Sequence, residues 1–481
     1  TTVNNAGGLA YCKDAKNSLA QFACTGTFNG TFYCDASTIL SQLKDIVKKC
    51  DDKFIAQVAV YSRNSSFMKD MPAYLVAVLA ARGSEYFSST FQKVIDNGKM
   101  LRNFVQIGRS GEAGKVINMS ASRVRKAINQ WFESRSSEVI FRNSIGNNPS
   151  MKDILRMARP KPENDEKAAL YAYLRDSKLI NNVFVTLNKN GGIMYANAWG
   201  NLPEIVKQYE NFKKNRTGEI PEVDFRMLDS ILTKDQMREV WEKQTNAGWH
   251  MLRMNLNNFE KYGVLQSTTT LKRVVSRLKD AQEIKKSKVF PYQIMNTYIN
   301  TDVNSEIKLA LQDALDISLE NVPKFNGNGF VCVDTSGSMN SSVTGNSATP
   351  SKVTCVQVAG LFASSILRHN PNTKVIPFDT RVHLVSLNPR DSVMTNAQKL
   401  NSGGGGTDCA CALRHINQNN GRGDYVVFIS DNESWSGSGY YRNQGNTGLM
   451  QEWKIFKSRN PNAKLICIDI TPSSTSQSKP E

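Results

Sequence analysis

The hydropathy pattern changes near Asn326, and that change constrains the fold more than any other feature of the chain. After it, short apolar, β-rich runs stand at Gly329–Val333, Val375–Phe378, Tyr425–Ile429 and Leu465–Ile470. Helix-like stretches at Val353–Leu367, Cys409–Ile416 and Leu449–Ser458 separate them. Short buried strands alternating with helices predict an α/β domain with a mainly parallel sheet. Such sheets place their sites beyond the carboxyl ends of the strands.

Before Asn326 the spacing is helical. "TILSQLKDIVKKC" puts Ile39, Leu40, Leu43, Ile46, Val47 and Cys50 in one stripe, with Lys44, Lys48 and Lys49 away from its centre. Phe54–Tyr61, Ala73–Ala81, Arg123–Phe132, Lys167–Arg175, Leu252–Phe259, Leu271–Leu278 and Glu306–Leu319 behave alike, parted by breaks such as "RNSSF" and "GNNPS". Many amphipathic helices without strong strand alternation predict a helical repeat array over residues 1–325, followed by the α/β domain over 326–481. A chain of 481 residues is too long for one core in any case.

Charge divides unevenly between the two parts. The net charge is +17, of which +13 falls before Asn326 and +4 after it. A polyanionic partner, nucleic acid above all, is expected for the first part. Between Arg109 and Pro162, 11 basic residues face four acids. On a helical wheel Ala121, Val124, Ile128, Trp131 and Phe132 share one face. Arg123, Lys126, Asn129 and Gln130 lie opposite, with Arg125 on the flank. That arrangement buries Trp131 and shows solvent a surface suited to phosphate contacts. Lys115, Lys152, Arg156, Arg159 and Lys161 extend the basic set. The Lys-rich "RLKDAQEIKKSK" (Arg277–Lys288) fits an RNA-lining stretch and an exposed helix end equally well.

Other classes are disfavoured. The longest apolar stretch, Pro72–Ala81, is far below the ~20 residues that span a bilayer and reads as a buried helix. No charged segment followed by an apolar one opens the sequence. Nine cysteines without a C-x-x-C pair predict reduced thiols in a cytosol. Four histidines leave little room for a zinc site or a His-based triad. The "GGGG" run lacks the G-x-x-x-x-G-K-[ST] pattern of a phosphate cradle, and "CAC" at 409–411 reads as the buried start of a helix.

"GFVCVDTSGSMNSS" (Gly329–Ser342) ends its apolar run on Asp334, Ser336 and Ser338, with Gly337 at the turn. A hard divalent cation such as Mg²⁺ wants oxygen ligands in octahedral geometry. Alternate side chains of D-x-S-x-S on a strand-end turn can converge on one point. "NSGGGGTDCA" offers Thr407 after four glycines, and "VVFISDNESW" offers Asp431. Three loops at one end of one sheet therefore predict a single Mg²⁺ (or Mn²⁺) held by Asp334, Ser336, Ser338, Thr407 and Asp431.

This constellation resembles the metal-ion-dependent adhesion site of von Willebrand factor A-type domains, over roughly Asn326 to Thr475. The resemblance implies that those five residues bind the ion directly or through water. It also implies that the domain takes a partner's carboxylate at the open position and performs no reaction. "GGTDCA" and "FISDNESW" further resemble loops of the Ro proteins of the TROVE family. "FACTGTFNGTFY" (Phe22–Tyr33), "RKAINQWF" (Arg125–Phe132), "MKDILRMARPKP" (Met151–Pro162), "MLRMNL" (Met251–Leu256) and "KVFPYQI" (Lys288–Ile294) follow in that family's order.

The family resemblance spans almost the whole chain. It implies a monomeric, HEAT-like helical ring closed by the A-type domain. It also implies Y RNA on the outer face, single-stranded 3′ ends of misfolded RNAs in the hole, and an exoribonuclease such as polynucleotide phosphorylase as a partner. Arg125, Lys126, Lys152, Arg156 and Lys161 match family positions, whereas Met151 replaces a histidine that Ro proteins can carry. The rival readings are a protein-binding scaffold or adhesion module and a metal-dependent nuclease. The latter generally needs several carboxylates around paired metals.

Overall fold

The computed structural model describes residues 1–25, 35–176, 183–187, 193–319, 324–343, 352–401, 403–436 and 446–479, with backbone alone for 183–187 and 193–198. Most of the segment Phe22–Tyr33, from Gly26 on, lies outside the described residues, as does Cys34. The chain forms two compact units, Lys44–Val240 and a second made of Thr1–Leu43 with Trp241–Glu481.

The first unit is a stack of helices. Asp52–Asn64 packs on Phe87–Val94, which packs on Ser122–Glu133, which in turn packs on Met151–Ala158. Alongside, Asp70–Arg82 packs on Gly98–Ser110, which also touches Met151–Ala158. Packing of next-but-one helices in two rows is what a helical repeat array requires. Asp70–Arg82 is buried without interruption from Met71 to Leu79, as a helix apolar on every side must be. Pro72 sits in its first turn, where no N–H is needed, and Gly83 ends it in the left-handed conformation at φ 68°. Phe91 meets Phe104 edge-on with ring centroids 5.0 Å apart, tying the two rows together.

Among the described residues there are nine strands: β1 (Thr2–Val3), β2 (Leu9–Cys12), β3 (Val183–Leu187), β4 (Ile193–Asn197), β5 (Gly329–Asp334), β6 (Lys374–Phe378), β7 (Tyr425–Ser430), β8 (Lys464–Asp469) and β9 (Thr475–Ser476). The expectation of helices alone before Asn326 is therefore corrected in two places. β3 and β4 form an antiparallel hairpin within the first unit, and β1 and β2 form another at the start of the second. The helix expected over Leu252–Phe259 is also two, Trp249–Met254 and Leu256–Lys261. Asn255 separates them; its side-chain amide donates to the Met251 carbonyl at 2.8 Å and competes with the backbone ladder.

The α/β part of the second unit matches its expectation closely. Its sheet runs β6-β5-β7-β8 with every pair parallel. β5 and β7 are buried along their whole length. Phe330 and Cys332 point to one face, packing with Ile416, Trp453 and Phe456 from helices Cys409–Gln418 and Gly448–Arg459. Val331 and Val333 point to the other, against Ala359 and Ile366 of helix Cys355–His369. The short helix Val393–Lys399, which hydropathy does not reveal, packs on Cys355–His369. From β5 the chain moves to β6 on one side and returns to β7 on the other. A crevice opens at the carboxyl ends where such a sheet reverses its order.

Candidate metal centre and nucleic-acid interface

Asp334 is the last residue of β5 and is fully buried. The turn after it is pinned from both sides. Thr335 donates its N–H and its hydroxyl to the Phe378 carbonyl, at 2.7 and 2.9 Å, and the Gly337 N–H donates to the Gly405 carbonyl at 2.9 Å. The Gly-rich loop lies flat against this turn because a Cβ on Gly403 would fall 2.2 Å from the Thr335 carbonyl oxygen. Glycine is needed there for close backbone approach. The hydroxyls of Ser336 and Ser338 come within 3.2 Å of each other. Ser338 also hydrogen-bonds to the Asp431 carboxylate. All five residues expected to hold the ion are buried: Asp334, Ser336, Ser338, Thr407 and Asp431.

The electrostatics fit a hard cation. Burial raises the Asp334 carboxyl well above the usual range, and the Asp431 charge raises it further. Burial raises Asp431 in the same direction. Among the described residues no lysine, arginine or histidine offsets either charge. The buried Thr407 hydroxyl has no hydrogen-bond partner among the described residues. Buried carboxylates held by neutral donors, together with an orphaned hydroxyl, are costly unless a counter-charge completes them. Two carboxylates and three hydroxyls form a donor set suited to Mg²⁺ or Mn²⁺.

Four neighbours escaped the sequence reading. Ser430, the last residue of β7, donates its hydroxyl to Asp334 Oδ2 at 2.5 Å. Asp379, just beyond β6, accepts from the Gly405 N–H at 3.2 Å and lies 3.0 Å from His383 Nε2. Glu433 is buried two residues after Asp431; burial, then the Asp431 charge, pushes its carboxyl up to about 7. Trp435 is 44% exposed and closes over Gly406, where a Cβ would meet its ring at 2.7 Å. Only Ser430 follows a legible rule, a hydroxyl ending the strand beside the one that ends on Asp334.

The basic set lies on the first unit. Helix Ser122–Glu133 buries Val124, Ile128, Trp131 and Phe132, and leaves Arg123, Arg125 and Lys126 exposed. Helix Met151–Ala158 packs against it and exposes Arg156, with Lys152 half-buried. Lys115, Arg159 and Lys161 are exposed on the adjoining loops, Arg159 in a left-handed cap at φ 49°. Arg123 differs from the others because its guanidinium donates to the Gly83 carbonyl at 2.6 Å and to that of Ser84. It caps the end of helix Asp70–Arg82. Met151, in place of the histidine, is buried. In the second unit Arg277 is committed to Glu283 and to the Thr245 carbonyl, and Lys279 pairs with Asp313.

Comparison with known proteins gives a consistent picture. Residues 329–481 match the family model described as the Ro60 vWA domain, and residues 219–327 match the TROVE domain. The chain is 23% identical over 510 residues to a protein of Deinococcus radiodurans named RNA-binding protein RO60, covering 99% of this chain and 90% of that one. Its fold is similar to the crystal structure of the Deinococcus radiodurans RO (RSR) protein. The TM-score is 0.61 at 19% identity, over 95% of this chain and 92% of the other.

Proposed function

This chain belongs to the Ro family, with a TROVE domain followed by a Ro60-type A domain, and on that footing we propose that it is an RNA-binding protein without catalytic activity of its own. The observation that carries this reading is the basic face of helices Ser122–Glu133 and Met151–Ala158 with their adjoining loops. Among the described residues, Lys115, Arg125, Lys126, Lys152, Arg156, Arg159 and Lys161 make no ion pair, and all but Lys152 are exposed. Unpaired cations on a helical surface gain most from phosphate, through release of the counterions that phosphate holds. Similarity to a protein named as RNA-binding supports the same partner.

The finer reading follows the family. The helical part acts as a monomeric ring that holds structured Y RNA outside and single-stranded 3′ ends of misfolded RNA in its hole, in RNA quality control. An exoribonuclease such as polynucleotide phosphorylase then receives the tailed RNA. A cytosolic location is part of this proposal, supported by the free thiols of Cys332, Cys355, Cys409, Cys411 and Cys467 in the α/β domain. No described helix is long and apolar enough to cross a membrane.

The A-type domain holds one Mg²⁺ or Mn²⁺ at Asp334, Ser336, Ser338, Thr407 and Asp431. The ion supplies an open coordination position for an acidic group from a partner. The test is incubation of end-labelled structured RNA with the protein in Mg²⁺. A shifted but intact band is expected; cleavage would favour the nuclease reading, and no shift would favour a protein-binding scaffold.

A further inference from the structure

The stretch after Asp431 carries two buried or half-buried acids, Glu433 and Asp469, that the ion ligands do not explain. Both are answered by the first residues of the chain, which belong to the same compact unit. Asn5 donates its side-chain amide to Glu433 Oε1 at 3.0 Å, and the Ala6 N–H reaches Glu433 Oε2 at 3.3 Å. Lys13 pairs with Asp469 at 2.6 Å, joined by the Gln21 amide at 2.9 Å. Left uncompensated, Glu433 and Asp469 would add negative charge beside a pair of carboxylates already in conflict.

The contact is close and built from backbone. Asn4 donates its amide to the Ser434 carbonyl at 2.9 Å while its own Oδ1 accepts the Gly8 N–H at 2.7 Å. A Cβ on Gly8 would lie 1.9 Å from the Ser434 carbonyl oxygen, so only glycine lets the hairpin approach the loop. Asn432, between Asp431 and Glu433, adopts φ 68° and is tied on its other side to β9, where its amide donates to the Thr475 carbonyl at 2.7 Å. β9 in turn pairs with β2. The loop that presents Asp431 is thus gripped by one small sheet made from both ends of the described chain.

We propose that the hairpin β1–β2 is a working part of the metal centre, fixing the shape of the Asp431 loop so that cation affinity depends on Asn5 and Lys13. This rests on the reading of the three loops as a divalent-cation site. Asn5 and Lys13 are positioning residues here, since neither supplies a ligand. Because binding linkage is reciprocal, the cation must also tighten the hairpin.

Titration calorimetry of the full chain with Mn²⁺ tests this, comparing wild type with Asn5→Ala, Lys13→Met and Tyr11→Phe. Tyr11→Phe removes a hydrogen bond to Asn446 in the same hairpin without touching the loop. Asn5→Ala and Lys13→Met should each weaken Mn²⁺ about tenfold, as loss of groups that orient ligands does. Tyr11→Phe should stay within about twofold of wild type by the same reasoning. Asn5→Gln, which keeps the amide donor, should recover part of the loss. In wild type, Mn²⁺ should slow hydrogen exchange at the Ala6 and Gly8 amides. Wild-type protein that fails to bind Mn²⁺ would overturn the metal reading and this proposal with it. Wild-type binding matched by Asn5→Ala and Lys13→Met would overturn the proposal alone. So would an equal loss in Tyr11→Phe, which would mark general destabilisation of the hairpin.

Discussion

Ser430 Oγ donates to Asp334 Oδ2 across 2.5 Å, so the end of β7 orients the carboxylate at the end of its neighbour β5. With that bond in place Asp334 presents its other oxygen, which accepts the Ser336 N–H at 2.9 Å, to the turn where the hydroxyls gather. Asp334→Ala should therefore abolish Mn²⁺ binding by calorimetry. Ser430→Ala should weaken it by about ten- to a hundredfold while leaving the fold intact. Wild-type affinity in Asp334→Ala would remove the three-loop site.

The metal-free protein should lose stability as pH rises. Glu433 is pushed from its ordinary 4.5 up to about 7, and Asp334 and Asp431 move in the same direction. Between those values the folded state binds more protons than the unfolded one, so unfolding becomes easier as pH rises through the window. A bound cation replaces those protons. Melting scans in chelator and in Mn²⁺ at about pH 5.5 and 7.5 should show a gap that widens with pH. A gap that narrows would contradict the assigned direction.

Arg123 and Arg125 stand two residues apart and should fail differently. Arg123 caps the carbonyls of Gly83 and Ser84 and lies over the Phe87 ring at 5.9 Å, whereas Arg125 is exposed. Arg123→Ala should cost about 1.5 kcal/mol of stability, the low end for hydrogen bonds made by a charged group. Arg125→Ala should leave the melting temperature unchanged and weaken RNA. Paired melting and binding measurements separate the two roles, and equal stability losses would refute the distinction.

The parts of this molecule that sequence reveals are those with a strong period or a short motif. β5 and β7 read cleanly because each is buried on both faces, so nothing polar interrupts the run before Asp334 or Ser430. The five candidate ligands stand out in the sequence because they lie on strand-end loops in chain order, and the structure buries all five. Glu433 and Asp379 were not, since nothing local tells a buried acid from an exposed one. The N-terminal hairpin was hidden for a different reason. β1 has two residues, and β2 is only four residues long. β1 pairs with β2, and β2 in turn pairs with β9 across more than 460 positions, as Tyr11↔Ser476 shows. Arg123 looked like its neighbours on the helical wheel, and only the tertiary contact with Gly83 and Ser84 sets it apart.

In the proposed ring, a hole that admits one strand would exclude a stiff duplex, while unpaired bases would remain free to meet side chains. The protein should therefore bind a hairpin with an unpaired 3′ tail more tightly than its blunt version. A structured RNA on the outer basic face should reduce binding of the tailed one. Competition titration of tailed and blunt forms checks both points; equal affinity without competition would leave the two-mode reading unsupported.

In the proposed function, phosphate meets the basic face of helices Ser122–Glu133 and Met151–Ala158. The most direct measurement is the affinity for one structured RNA at several salt concentrations, for wild type and for the fourfold variant Arg125→Ala, Lys126→Ala, Lys152→Ala, Arg156→Ala. Each lost phosphate contact should flatten the logarithmic salt slope by roughly 0.7 to 0.9. The fourfold variant should bind more weakly, with a slope shallower by up to about 3.6. An unchanged affinity and slope in a folded variant would place RNA elsewhere on the molecule.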